Sequence, residues 1–208
     1  IDLKLVMAMS GLSRVYEIGR NFRNEGQGPL HHPEFTNLES YTAYQTGPEA
    51  IDMTSNALSR ISTSLGTSYD FTSMPTKNLD ELFAGADVDY AQILDAVDQQ
   101  DLDMLRAIAA HKGVDSEGKG YSGIVDAMVK QLIRPRIIRP TVVTGYLSDQ
   151  MPLAASSRSD ERIADAFQVI AEGAEIVKAY QEEVNPHVLR RKLGRQAIES
   201  GDDEIRTD

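Results

Sequence analysis

The sequence has 208 residues and a net charge of −11, with 41% hydrophobic and 25% charged residues. This length is enough for one sizeable core, and the composition is ordinary for a globular protein. The absence of cysteine excludes disulfides and thiolate metal sites and fits a reducing, cytoplasmic location. The acidic charge argues against broad nucleic-acid binding by this segment. No apolar run is long enough to cross a bilayer, so no membrane partner is expected.

The first third of the chain predicts a helix, two strands and a second helix. The apolar stretch 3–9 suits a short helix. Residues 14–44 predict two strands joined by a loop at 26–30, where glycine and proline mark a turn. Apolar residues at helical spacing predict a helix over 48–65. A loop rich in Gly, Ser, Thr and Pro follows over 66–78.

The middle of the chain is acidic, and its periodicity predicts four helices, which we interpret as a small insertion at about 79–133. A β-branched run predicts a strand over 141–146, the first of the later strands expected at about 139–186. Residues 161–186 are ambiguous, because their apolar spacing favours a helix whereas Glu172-Gly173 fits a hairpin turn. Periodicity alone favours the helix, and 187–200 also suits one. The four helices of the middle are expected at 79–83, 91–97, 101–111 and 122–133.

The two strands predicted within 14–44 concentrate chemistry on one face. Alternation points Arg23 and Glu25 the same way in the first strand, and Phe35, Glu39 and Tyr41 share one face of the second. An arginine can grip phosphate and carboxylate oxygens, and a phenyl ring can stack on a purine. A carboxylate can receive an ammonium group or an adenine amine. The alternative is an ordinary antiparallel sheet with one solvated face.

The segment RVYEIGRNFRNEG, followed by HHPEFTNLESYTAY, resembles motif 2 of the class II lysyl-tRNA synthetases. Its F-R-x-E element at 22–25 is typical of class II synthetases, and P-E-F-T-x-x-E-x-Y at 33–41 is typical of the lysine enzymes and their close relatives. The resemblance implies an α+β fold, an antiparallel sheet flanked by helices, of which 1–208 would be part of the catalytic domain with its motif 2 hairpin at 14–44. It also implies a lysine–tRNA ligase that uses ATP and Mg²⁺, forms a homodimer and takes tRNA through the full-length enzyme.

The resemblance assigns roles to individual residues of the hairpin. Arg23 would be the catalytic residue, holding the α-phosphate of ATP and the lysine carboxylate. Glu25 would contact the adenine amino group, and Phe35 would stack on adenine. His31 would lie in the loop that closes over ATP. The lysine pocket would be lined by Glu39 and Tyr41.

A second resemblance lies downstream, where AEGAEIVKAYQEEVNP is similar to a later strand segment of the same family. It favours a hairpin over 166–180, assigns Glu175 to magnesium and assigns Glu182 to the lysine ε-ammonium. Two positions depart from the family pattern: Gln168 replaces a second metal-binding glutamate and Lys178 replaces an asparagine. An amide is a poorer ligand for a hard divalent cation than a carboxylate. Restoring both residues is therefore predicted to raise magnesium affinity.

Gly145 stands where the family has an acidic residue. The basic group Arg134, Arg136 and Arg139 is interpreted as a solvated face, the commonest role of such groups.

Motif 1 of the family is expected before Ile1 and motif 3 after Asp208, and the N-terminal anticodon-binding barrel is also absent from the sequence. Three interpretations follow. The chain is a fragment of a longer synthetase, a degenerate paralogue that keeps the fold and ATP binding, or a diverged relative that activates lysine or a similar amine-bearing acid without anticodon recognition.

Overall fold

The computed structural model describes residues 10–23, 28 and 32–200. The helix expected at 3–9 and the site residues Glu25 and His31 lie outside the described residues. The described elements form an α+β fold, as expected from the sequence. Within this described part, no helix is both long and apolar enough to cross a membrane. The chain divides into two compact units, residues 1–49 and 50–208.

The described part of the first unit consists mainly of a β-hairpin. Strand β1 spans Arg14–Phe22 and pairs in antiparallel register with β2, Glu34–Thr42. One more backbone hydrogen bond follows the last pair, donated by the Arg23 N–H to the Pro33 carbonyl over 2.9 Å. The two strands predicted within 14–44 are confirmed, because alternating side chains and a Gly/Pro-rich connection are sufficient signals for a hairpin.

The second unit alternates helices with short strands. Helix α1 begins at Gly47, at the boundary of the units, and ends at Leu65, close to the predicted bounds. The other elements are β3 (Thr76–Asn78), α2 (Leu79–Ala84), α3 (Tyr90–Asp98), α4 (Leu102–His111), α5 (Tyr121–Met128), β4 (Thr141–Thr144), β5 (Ala166–Ala171), β6 (Ala174–Tyr180) and α6 (Pro186–Ser200), with a 3₁₀ turn at Ser148–Gln150.

The sheet of the second unit has the strand order β3-β4-β5-β6. The pairs β4–β5 and β5–β6 are antiparallel, but β3 pairs with β4 in parallel. The antiparallel sheet implied by the resemblance therefore holds for β4, β5 and β6 but not at the β3 edge, and β3 lies inside the segment 66–78 interpreted as loop. A parallel pair needs a long crossover connection. Helices α2 to α5 provide it, so they connect neighbouring strands.

Both faces of this sheet are covered. On one face the crossover helices share a core with the sheet, and α1 packs against the other face. Because β5 lies between these two layers, all six of its residues are buried. The first core includes Phe83, Ile93, Leu105, Met128, Val143 and Ile170, and the second places Ile51 and Leu58 against Val142, Phe167 and Val169.

The helix that periodicity favours within 161–186 is wrong, and the hairpin favoured by the family resemblance is correct. Strands Ala166–Ala171 and Ala174–Tyr180 are joined by a two-residue turn. Glu172 and Gly173 have φ values of 50° and 77°, the positive values that a type I′ turn requires at both positions. A strand buried on both faces lacks polar alternation, so its apolar spacing cannot be distinguished from that of a helix.

The segment predicted as a helix over 122–133 is helical, but the helix changes type within it. Its α-helical part stops at Met128 and continues as a π-helical turn over Val129–Ile133 and a 3₁₀ turn over Arg134–Arg136. Pro135 has no N–H to donate and its ring clashes with the preceding turn, so a regular α-helix cannot continue.

Gly145, just after β4, permits a close backbone approach that a side chain would block. Its φ is +87°, and a Cβ built there would lie 2.5 Å from Oδ1 of Asn78. Asn78 is the N-cap of α2 and accepts a hydrogen bond from the Asp80 N–H. The carbonyl of Gly145 also accepts a 2.7 Å hydrogen bond from the buried Tyr90 hydroxyl. The acidic residue of the family pattern does not fit this conformation.

We therefore expect Gly145→Asp to lower the free energy of unfolding by about 2–3 kcal/mol, from a left-handed backbone and a displaced helix cap. Urea unfolding of the two proteins measures this difference. Gly194→Ala is the matched control, because a Cβ at Gly194, within α6, meets no atom within 4 Å. That control should be neutral or stabilising by up to about 1 kcal/mol. Equal stability of Gly145→Asp and the unchanged protein would contradict this account of Gly145.

Candidate functional site

The hairpin places the predicted motif 2 residues on one face. Phe35, Glu39 and Tyr41 alternate along β2 and are all partly buried. Opposite Glu39 in β1 lies Glu17, so two carboxylates share this face. Like charges in directly opposed positions repel each other, and Glu39 also accepts a 3.3 Å hydrogen bond from Nδ2 of Asn37. We call this side of the hairpin its polar face.

Arg23 lies beside Phe35 on the polar face. The Cζ atom of its guanidinium is 5.2 Å from the centroid of the Phe35 ring, a cation–π distance. The Arg23 side chain is exposed, so it is accessible to a ligand. The structure therefore brings together the arginine and the aromatic ring that the sequence assigns to the phosphate and the base of ATP.

The opposite face of the hairpin differs in character. Arg20 lies there, and its exposed guanidinium is 3.4 Å from the Glu34 carboxylate. Surface pairs of this kind contribute little to stability. The large exposed side chains on this face are Tyr16, Ile18, Phe22 and Leu38.

In the second unit, Gln168 is the polar residue of the buried strand β5, with 5% of its surface exposed. Its Oε1 atom accepts a 2.8 Å hydrogen bond from the hydroxyl of Tyr146 and a 3.4 Å one from Nη2 of Arg134. Burial raises the pKa of Tyr146 far above its ordinary value, so the hydroxyl stays protonated and donates. A buried amide oxygen with two donors is well satisfied.

Glu175, the carboxylate that the resemblance assigns to magnesium, forms an ion pair with Arg134. Nη2 of Arg134 lies 2.7 Å from Oε2 of Glu175, and the two side chains are only 17% and 31% exposed. The same Nη2 also reaches Gln168. Nε of Arg134 is buried and has no hydrogen-bond partner within the described residues. Arg134 is thus not part of a solvated basic face, and that interpretation is wrong for it.

The surroundings of Glu175 do not fit a divalent cation. Its carboxylate and the Gln168 amide oxygen both already face a guanidinium. The next acidic group of this region, Asp126, pairs with Lys130 over 2.7 Å. In the ranges 10–23 and 32–200, no group of three acidic or histidine residues is placed to hold a metal ion. We therefore assign no chemical step to a metal at Glu175.

Lys178 adds a second positive charge to this edge of the sheet. It lies directly opposite Gln168 in the β5–β6 register and is exposed. Side chains in opposed positions of an antiparallel pair lie on the same face. Lys178 makes no ion pair with any residue that the structure describes.

Glu182 follows β6, where its backbone forms an isolated bridge with Ala154. Partial burial raises the pKa of its carboxyl group. Its carboxylate accepts no hydrogen bond from the described part of the chain. A carboxylate that is partly desolvated and has no internal donor is a favourable partner for a cationic ligand.

The family model for class II tRNA synthetases of the D, K and N types matches residues 3–208. The chain belongs to this family. Among similar curated proteins, the lysine–tRNA ligase of Vibrio campbellii is 33% identical over 216 residues, and that of Shewanella amazonensis is 32% identical over 213. The lysine–tRNA ligase of Leuconostoc mesenteroides is 33% identical over 212 residues. These alignments cover 95% of this chain but only 42–43% of the relatives, so the chain corresponds to a partial catalytic region.

The structure describes six of the predicted site residues. Arg23, Phe35, Glu39 and Tyr41 form the hairpin group, and Glu175 and Glu182 belong to the second unit. The sequence missed Arg134, which contacts Glu175 and Gln168, and Tyr146, which contacts Gln168. They are 34 and 22 residues from Gln168 along the chain, and no local pattern links them to it.

Proposed function

We propose that this chain is the lysine-activating segment of a lysine–tRNA ligase, and that it forms lysyl-adenylate from lysine and ATP. The observation that supports this most is the contact between Arg23 and Phe35 on the same hairpin face as Glu39 and Tyr41. Similarity to lysine–tRNA ligases supports lysine as the amino acid. Transfer to tRNA is proposed for the full-length protein, in a homodimer, as the family resemblance implies.

In the proposed reaction an oxygen of the lysine carboxylate attacks the α-phosphorus of ATP. A bond forms between that oxygen and the phosphorus, the bond to the bridging oxygen breaks, and pyrophosphate leaves. Arg23 holds the α-phosphate and the attacking carboxylate together, and its charge stabilises the negative charge that develops on the phosphate oxygens. Phe35 orients the adenine by stacking. Glu25 and His31, outside the described residues, are proposed to contact adenine and to close over ATP.

The lysine pocket is proposed to use carboxylates. Glu182 receives the ε-ammonium, because its partly buried carboxylate has no donor within the described residues and an ammonium group would satisfy it. The family resemblance assigns Glu39 and Tyr41 of the hairpin to lysine binding as well. A partly desolvated carboxylate favours a side chain that ends in a cation over one that ends in a methyl group, since charge pairs strengthen as water is excluded.

The test is lysine-dependent exchange of radiolabelled pyrophosphate into ATP, measured on the folded chain in magnesium buffer. Exchange with lysine but not with leucine supports the proposal. The alternative is a degenerate segment that keeps the fold and ATP binding, and the Arg134–Glu175 pair at the predicted metal position favours it. This alternative predicts ATP binding by calorimetry without exchange. Absence of both exchange and binding would exclude both functions for this chain.

Lysine affinity should fall as the pH is lowered from 7 toward 5. Burial raises the pKa of Glu182, so this carboxyl group takes up a proton at a higher pH than an ordinary glutamate. The lysine ammonium stays charged throughout this range, and protonation removes its partner. Calorimetric titrations at several pH values should show this loss. In Glu182→Gln the contribution of this group disappears, so the affinity should vary less with pH.

Localisation is proposed as cytoplasmic. The sequence has no cysteine, which suits a reducing compartment. ATP is the proposed co-substrate and charged tRNA is the proposed product. Both are used in the cytoplasm.

A further inference from the structure

The edge of the sheet at Glu175 carries a positive net charge. Glu175 pairs with Arg134, and Lys178 lies opposite Gln168 in the register, so the three charged side chains sum to +1. The Gln168 amide between them is neutral and turns its oxygen toward the guanidinium. The net positive charge disfavours binding of a divalent metal ion, because such an ion would first have to displace Arg134 from the Glu175 carboxylate.

Arg134 is held in place from two sides. Its Nη2 donates to Glu175 over 2.7 Å and to Gln168 over 3.4 Å, and Tyr146 holds the Gln168 oxygen over 2.8 Å. The side chain leaves a 3₁₀ turn that directly follows the π-helical turn. These two hydrogen bonds place the guanidinium at Glu175 and Gln168 within the fold.

We propose that Arg134 takes the place of a divalent cation at Glu175, so that this edge of the sheet meets an anionic ligand through the chain's own positive charges. The guanidinium neutralises the carboxylate that would otherwise hold a metal ion. Lys178, exposed beside it and without an ion pair among the described residues, presents the remaining positive charge to solvent. A phosphate group is the class of ligand that such a surface suits.

The direct test is Mn²⁺ binding, measured as the loss of the free-ion signal in electron paramagnetic resonance. The unchanged chain and Glu175→Gln should bind Mn²⁺ equally, because Glu175 holds no cation. Weak Mn²⁺ binding at other acidic residues is the same in both proteins and does not affect the comparison. A site that is present in the unchanged chain and lost in Glu175→Gln would overturn the proposal, and this arm needs no substitution at Arg134.

The complementary test removes the guanidinium. Arg134→Met combined with Gln168→Glu and Lys178→Asn should gain Mn²⁺ affinity by roughly 10- to 100-fold, the scale typical of changes around metal ligands. Arg136→Met is the matched control, since Arg136 lies in the same turn but donates to the Gly85 carbonyl over 2.7 Å. It should leave Mn²⁺ binding unchanged. Circular dichroism verifies the fold of each variant, and a folded triple variant with no gain would count against the proposal.

A second readout concerns nucleotide and rests on the proposed function. ATP affinity of the unchanged chain should differ little between magnesium buffer and buffer with a chelator, whereas the folded triple variant should depend on magnesium. Strong magnesium dependence of the unchanged chain would contradict the proposal. If no variant binds ATP, the proposed function fails, while the Mn²⁺ comparison still decides the role of Arg134.

Discussion

Arg23→Ala is expected to weaken ATP binding by about 2–4 kcal/mol, the cost of removing a comparable charge-stabilising donor. This corresponds to a loss of roughly 30- to 1,000-fold in Kd. The guanidinium lies 5.2 Å from the Phe35 ring on the polar face of the hairpin, and it is exposed to ligand. Calorimetric titration with ATP measures the change. Because the side chain is exposed, the fold should remain intact.

Arg20→Ala is the matched control for Arg23→Ala. Arg20 lies only three residues earlier but on the opposite face, where it pairs with Glu34 at the surface. Both substitutions remove one positive charge from the same strand region, so long-range electrostatics affect them alike. Only Arg23→Ala should lose ATP affinity. Equal losses in both variants would mean that net charge matters and that the polar face is not a nucleotide site.

Glu182→Gln is expected to weaken lysine binding by about 2–5 kcal/mol, the usual cost of truncating one partner of a desolvated charge pair. The substitution keeps the shape of the side chain and removes its charge. Since burial raises the pKa of Glu182, the carboxylate is already disfavoured without a partner, and the amide variant should be at least as stable in the absence of lysine. Lysine titration and urea unfolding measure the two effects.

Glu183→Gln serves as the control for this substitution. Glu183 is the next residue, and its side chain accepts a 2.9 Å hydrogen bond from the Asn185 N–H, which an amide oxygen can also accept. Its loss of charge should leave lysine affinity nearly unchanged. If Glu183→Gln reduces lysine binding as strongly as Glu182→Gln, then Glu182 is not the specific partner of the ε-ammonium.

The contacts of Arg134 also change an expectation drawn from the sequence. From the sequence alone, Gln168→Glu combined with Lys178→Asn is predicted to raise magnesium affinity. A glutamate at 168 would face the same guanidinium as Glu175, so Arg134 would lie between two carboxylates and remain in place. The double substitution without Arg134→Met is therefore expected to leave divalent-cation binding low.

The sequence by itself determined the hairpin group. Alternation over 14–44 is local information, and side chains two residues apart on a strand share a face whatever surrounds them. The positions of Phe35, Glu39 and Tyr41 on one face therefore followed from the sequence, and the β1–β2 register agrees. The family resemblance also resolved 166–180 as a hairpin, where periodicity failed because β5 is buried on both faces.

Only the tertiary structure decided how Glu175 is paired. Arg134 is 41 residues away from it along the chain and belongs to a basic group with the pattern of a solvated surface. The Arg134 guanidinium reaches the β5–β6 hairpin from the end of the crossover between β3 and β4. The π-helical turn precedes Arg134 there, and Pro135 follows it. Such a contact depends on how distant elements pack, and no short-range pattern encodes it. The same holds for Gly145, whose positive φ and close approach to Asn78 are seen only in the tertiary structure.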